Sequence, residues 1–291
     1  MPWLILFLMF PSQQEGPDAS DAIKKAESQW RAEHEETIKA DDSWLNLVGL
    51  FFLKEGPNPF GTSPELRLQM PLHSTVAQAG VFVLEQGKVR FTMNRAQAAS
   101  LNGNPVREGT LELDQVLTHN HLRMFLIERD GRIALRVRDL RARNFLDFQS
   151  LEYYRPKQSY MVQGTFTPFD PPKTLTVTTV ISTKLDLIVP GTIEFNLNGQ
   201  NLTLTPTLET ENDEEWLIMF QDQTSGMTTY SGGRYLYIEP VKEDGTVMLN
   251  FNRAVNPPCA YTYYATCPLP PSENWLDVAI EAGERNYPLD Y

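Results

Sequence analysis

The rhythm of apolar and polar positions changes once along the chain, near residue 44. In residues 18–40, Ile23, Ala26, Trp30 and Ile38 recur at a period of about 3.6, with Lys, Glu and Arg on the other face and Ser20 placed to cap the start. The pattern predicts an amphipathic helix laid against the body of the protein; His34, among glutamates, reads as solvated. Beyond residue 44, short apolar runs are broken by glycine, proline and asparagine, the punctuation of strands and turns. Residues 51–53, 66–70, 81–84, 89–93, 111–113, 122–128 and 133–137 are strand candidates, and Asp130-Gly131 predicts a tight hairpin between the last two. The arginines of 129–143 alternate with apolar residues, as on a strand whose charged face meets solvent.

Residues 143–160 are aromatic and charged, and 166–172, with Pro168, Pro171 and Pro172, read as an irregular connection. Strands resume at 175–181, at 192–197 and 202–204 around Asn198-Gly199, and at 216–220. Asp244-Gly245 predicts a hairpin of 235–239 with 247–251, which would bring Arg234 and Asn252 to one end of a sheet. Residues 272–282 read as a closing helix, with Gly283 in the position that helix ends favour. The expected fold is mainly β: two packed β-rich parts of sandwich or partial-barrel type, an N-terminal amphipathic helix and a short C-terminal helix. The expected organisation is an apolar signal-like segment at 1–17, the helix at 18–42, a first β part at 43–142 and a second at 143–291.

Composition narrows the partners. A chain of 291 residues, 41% hydrophobic and 21% charged, has the make-up of a globular protein. Its formal net charge of −12 disfavours a phosphate backbone, so no nucleic-acid partner is expected. Residues 1–10 are almost wholly apolar but too few to span a bilayer, which takes about 20. They resemble the core of a secretion signal without its basic start and cleavage site. Export, periplasmic or extracellular, is the expectation, with a cytoplasmic protein as the alternative, and no membrane contact is expected beyond that segment. Cys259 and Cys267 are the only cysteines, read as a disulfide or as buried thiols; without nearby histidines they make a poor zinc site. His119 and His121 alternate as on one strand face but have no acid or sulfur partner at an obvious spacing. No metal and no tightly bound cofactor is expected, and nothing in the sequence fixes the oligomeric state.

Candidate chemistry concentrates in residues 220–267. There Asp222, Thr224, Ser225, Tyr230, Arg234, Asn252 and Asn256 stand between apolar strand pieces and glycine turns, with Glu284 placed to approach from the C-terminal side. Arg234 can hold a carboxylate or phosphate through its fork, the asparagines supply amides and Tyr230 a wall, so these eight residues are read as the site of a small anionic or polar metabolite. A metal-independent hydrolase at the same cluster is a second reading. Its nucleophile, Ser225 or Cys259, needs a base, and every histidine precedes residue 122, so no catalytic residue is assigned. A third reading is structural: Asp222 and Arg234 form an ion pair that locks the loop.

The order of motifs carries a resemblance. D-x-T-S-G-x-x-T-Y-x-G-G-R-Y-L at 222–236, F-N-x-A-x-N-P-x-C-A-Y at 251–261, C-P-L-P-P-x-E-N-x-L at 267–276, A-G-E at 282–284 and W-L-x-L-V-G-L-F-x-L-K-E-G at 44–56, followed by Phe60-Gly61, resemble the bacterial and archaeal domain of unknown function 1684. Asn250 departs from the aspartate more often found there, which removes a candidate carboxylate. The resemblance implies no activity. In the first half, Phe60-Gly61-Thr62-Ser63 and Leu101-Asn102-Gly103, in their order among strands, loosely resemble a forkhead-associated sandwich, which would imply a phosphopeptide or protein-interaction module. Ser74 and Asn102 would then match the serine and asparagine that hold phosphothreonine, but Thr62 stands in place of the arginine that phosphate recognition needs.

Overall fold

The computed structural model describes residues 21–210 and 213–289; the apolar segment at 1–17 and Ser20 lie outside the described residues. Helix α1, Asp21–Ile38, is the first element and the only long helix among them. It docks through a carboxylate as well as apolar groups: buried Glu27 accepts from Asn250 Nδ2 at 2.9 Å and faces Arg253 Nε at 3.2 Å.

Strands between residues 47 and 139 form two sheets. Leu47–Phe52, Arg132–Asp139, Leu122–Arg129, Leu117–His119, Ala99–Leu101 and Asn104–Val106 follow one another in the first; Leu68–Gln69, Gly56–Gly61, Gly80–Glu85, Lys88–Met93 and Glu108–Leu111 in the second. Alternating side chains from both, among them Phe60, Phe82, Phe91, Met124 and Val137, fill one core. The hairpin at Asp130 and Gly131 forms as expected, with φ of 54° and 65°, the left-handed pair that a two-residue turn requires.

The later strands build a four-stranded sheet, in the order Gln200–Leu204, Lys184–Leu197, Met161–Thr178 and Thr246–Asn250, and a two-stranded one of Trp216–Phe220 with Arg234–Ile238. Three expectations change here. Residues 166–172 do not form a connection but lie inside the long strand Met161–Thr178, whose register breaks between Pro168 and Lys173, where prolines offer no N–H to the ladder. Arg234–Ile238 and Thr246–Asn250 do not pair as a hairpin: the first pairs with Trp216–Phe220 and the second with the start of Met161–Thr178, although the turn at Asp244-Gly245 is present. The closing helix is reduced to a 3₁₀ turn at Ser272–Asn274, because Leu276 N–H donates to the Gln221 carbonyl and Gln223 N–H to that of Val278, which ties this segment to a neighbouring loop. Gly283 is no helix cap; its φ is +75°, and a Cβ there would stand 2.5 Å from the Ala254 carbonyl oxygen.

The Arg132–Asp139 strand turns only part of its arginine face to solvent: Arg132 is exposed and Arg138 half-buried, but Arg136 is not on a solvated face. Arg136 is buried between its sheet and Thr266 and lies over Trp44. Among the described residues no helix is long and apolar enough to cross a membrane.

Candidate functional site

Two buried polar centres stand out, and sequence order explains the first. Phe220 and Arg234 face each other across the two-stranded sheet, so the loop between them leaves and returns at one point and sets Asp222 beside Arg234. Gly233, at φ +86°, makes that return possible, since a Cβ would meet the Phe220 carbonyl oxygen at 2.5 Å. Arg234 Nη2 donates to Asp222 Oδ2 at 2.5 Å and to the Ile280 carbonyl at 2.9 Å, and Nη1 donates to the Ala282 carbonyl. Asp222 Oδ1 accepts from Thr224 N at 2.6 Å and from its hydroxyl at 2.5 Å, and that hydroxyl meets Thr229 Oγ1 at 2.9 Å. Arg234 is 1% exposed; burial lowers its pKa and the Asp222 charge opposes the shift. Ser225 Oγ accepts the Asp222 N–H at 3.2 Å, and half-buried Tyr230 packs into the neighbouring apolar cluster.

Asn252 does not join this centre. Its amide clamps the backbone of Lys157, accepting from N at 2.9 Å and donating to O at 3.0 Å, because it follows a strand of the other sheet.

The second centre surrounds Glu284, which is fully buried. Oε1 accepts from Asn256 Nδ2 at 2.7 Å and from the Tyr261 hydroxyl; Oε2 accepts from Asn256 N at 3.0 Å. Backbone pairing of Tyr153 with Glu284 and the Tyr154 N–H to Gly283 O bond of 2.9 Å bring residues 153–154 alongside. Helix α1 supplies the remaining wall. His34, stacked on Trp30 at 5.3 Å, puts Nε2 3.7 Å from Glu284 Oε2, and the Arg31 guanidinium lies 4.5 Å over the Tyr153 ring while Nη2 donates to Tyr154 O at 2.9 Å. Burial, reinforced by the Glu284 charge, pushes the Tyr153 and Tyr261 phenols far above their usual range, so both stay protonated donors.

Five buried polar atoms in this part of the molecule make no hydrogen bond within the protein: His34 Nε2 and Asn256 Oδ1 on residues that face the carboxylate, Tyr153 Oη and Arg285 Nε beside it in the backbone, and Arg31 Nε over Tyr153. Glu284 and Arg285 also stand in the wall of a cavity of about 500 Å³, together with Arg143, Phe148, Glu152 and Tyr287.

Of the residues expected to bind ligand, the structure therefore joins Asp222, Thr224 and Arg234 in one centre, with Ser225 at its edge, and joins Asn256 with Glu284 in another. His34, Arg31 and Tyr153 were not among them. His34 was read as solvated, yet it lies four residues from both Trp30 and Ile38, on the inward face of α1.

Cys259 and Cys267 are joined in a disulfide, with Cα atoms 6.2 Å apart. His119 is buried between Ala98 O at 2.7 Å and Thr75 Oγ1 at 2.6 Å, whereas His121 faces Asp139 at 3.4 Å across a turn. Among the described residues no group of three or more His, Cys, Asp or Glu is arranged to hold a metal. Ser74 donates its hydroxyl to Pro71 O, and Asn102 Oδ1 accepts the Val116 N–H, so both are engaged within the first half.

Residues 146–285 match the model of a family described as a protein of unknown function, DUF1684. An uncharacterized protein of Haloarcula marismortui, solved by NMR, is 34% identical over 48% of this chain and 77% of its own, with a TM-score of 0.41. The FHA-2 domain of a Mycobacterium tuberculosis ABC transporter is 15% identical over 46% of this chain and 95% of its own, with a TM-score of 0.24. The FhaA FHA domain, solved with an intracellular domain of another protein, is 16% identical over 31% and 97%, with a TM-score of 0.24. No curated protein matches.

Proposed function

The chain belongs to the DUF1684 family, whose description assigns no activity, and we propose that this member binds a small, hydroxyl-rich polar metabolite at the Glu284 centre. The observation that carries the reading is the cluster of five buried polar atoms without a hydrogen-bond partner, on the residues that touch Glu284 and on their immediate neighbours, beside a cavity whose wall includes Glu284 and Arg285. Buried polar groups are normally satisfied, and leaving one unmatched costs about 1–3 kcal/mol. The unmatched set mixes donors, Arg31 Nε and Arg285 Nε, with an acceptor, Asn256 Oδ1, and with groups that can serve either way, His34 Nε2 and the Tyr153 hydroxyl. A simple anion would use only the donors. Hydroxyl groups donate and accept at once, and Phe148 and Tyr287, stacked on each other in the cavity wall, supply apolar surface for the carbon skeleton of a sugar or polyol.

The Asp222–Arg234 pair serves on this reading as the lock of its loop, since its charges are spent on each other and on main-chain carbonyls. Hydrolysis draws less support: Cys259 is held in the disulfide, and no hydrogen bond joins Ser225 to a histidine among the described residues. The disulfide supports an exported protein, because such bonds persist in oxidising compartments.

A thermal-shift screen against sugars, polyols, sugar phosphates and organic acids tests the proposal. A saturable rise with a sugar or polyol, lost in Tyr153→Phe and His34→Ala proteins that still fold, is the expected result. Hits confined to organic acids, or hits that both variants retain, would remove the Glu284 centre from consideration.

A further inference from the structure

Arg136 is 6% exposed, yet no carboxylate pairs with it among the described residues. Its Nη2 donates to Thr266 Oγ1 at 3.1 Å, and Arg129 Nε donates to the same oxygen at 3.2 Å. A single neutral hydroxyl thus serves two guanidinium groups, while Arg136 Nε is buried with no partner. Trp44 lies beneath, 5.5 Å from the Arg136 guanidinium carbon and 5.8 Å from that of Arg138. An aromatic face attracts the charge but takes no hydrogen bond from the edge of the guanidinium. Asp42 offsets the charge of Arg138, whereas burial, and after it the like charges of Arg129 and Arg138, lower the pKa of Arg136 to about 10. Arg136 is therefore cationic at neutral pH, held close to a like charge in a buried place.

That combination is unfavourable without a counter-charge, because a desolvated cation is stabilised by a partner anion. Arg129 is exposed, which leaves the pair accessible from its rim. We infer that Arg129, Arg136 and Thr266 form a binding site for a phosphate group, either free or at the end of a small metabolite, where the sheet carrying Arg132–Asp139 meets the segment before Cys267. Two guanidinium groups and a hydroxyl match the several acceptor oxygens of a tetrahedral anion. The site shares no residue with the Glu284 centre and does not depend on it.

The test is a titration of the full chain with inorganic phosphate and, separately, with glycerol 3-phosphate. Ionic strength is held constant with chloride, and melting temperature and calorimetric heat are read. A saturable rise is expected in the wild type and in His34→Ala. In Arg129→Gln, a rim substitution that leaves the core intact, half-saturation should shift by about tenfold, the loss of one charge-assisted contact. An Arg129-dependent rise with inorganic phosphate alone assigns the free anion; one with glycerol 3-phosphate as well assigns a phosphate monoester. No rise above the chloride control, or equal rises in wild type and Arg129→Gln, would overturn the inference.

Discussion

The centres at Arg234 and at Glu284 are equally buried and differ in how far the protein completes them. Asp222 and Arg234 are brought together by a single loop, and Ile280 and Ala282 carbonyls take the remaining guanidinium bonds, leaving Nε alone without a partner. The Glu284 centre instead gathers His34 from α1, Tyr153 with Arg31 over its ring, and Asn256 and Tyr261 from near the end of the chain, and five polar atoms in and beside it make no hydrogen bond. Depth alone therefore does not identify a site. An internally closed charge pair stabilises one conformation, whereas a shell of unmatched donors and acceptors lowers stability and keeps its hydrogen-bonding capacity for a ligand.

The contrast can be broken most forcefully at the lock. Arg234→Met should destabilise the protein by about 3–5 kcal/mol, since it strands the Asp222 carboxylate in the interior; denaturant unfolding measures this. Glu284→Gln should cost less, about 1–3 kcal/mol, because Asn256 and Tyr261 lose a charged acceptor but keep a neutral one. That variant should also abolish the thermal response to sugars or polyols. His34→Ala should cost about 0.5–1 kcal/mol, the stacking on Trp30, while the ligand response disappears. Large destabilisation at His34 together with tolerance at Arg234 would reverse the assignment of lock and site.

A separate effect is alkaline and belongs to neither centre alone. The phenols of Tyr153, Tyr160, Tyr235 and Tyr261 are all raised above 10.0, chiefly by burial. In the unfolded chain they ionise near 10.0, so above that pH the folded state holds more protons and stability, complete below it, falls as pH rises. Melting temperatures on either side of pH 10.0 should show this decline, and Tyr261→Phe should make it shallower.

Local chemistry was legible wherever it acts over a few residues. Alternation in Leu122–Arg129 reads out directly as alternating burial, and Asp130-Gly131 makes its turn. Pairing across sheets was not legible. The turn at Asp244-Gly245 exists, but Arg234–Ile238, buried at nearly every position, sits between other elements and takes Trp216–Phe220 as its neighbour, a choice made by tertiary packing. Prolines 168, 171 and 172 suggested a loop because they break a ladder; the long strand bulges past them instead.

Within the candidate site, the crowded motif window held Asp222, Thr224, Arg234 and Asn256, with Glu284 expected to approach from beyond it, but it could not say which were spent on each other. His34 was judged by the glutamates beside it, whereas its surroundings are set by the helix face it shares with Trp30 and Ile38. Arg136 was misread for the same reason: alternation assigns a residue to a face of a strand, but not what covers that face.

The most direct measurement is nitrogen-15 NMR of the His34 imidazole and the Arg234 guanidinium while the best sugar or polyol from the screen is added. A ligand held by the Glu284 shell should shift the His34 Nε2 resonance in a saturable manner and leave Arg234 Nε where it was. A saturable shift at Arg234 with His34 unmoved would contradict the assignment and return the ligand to the Asp222 centre.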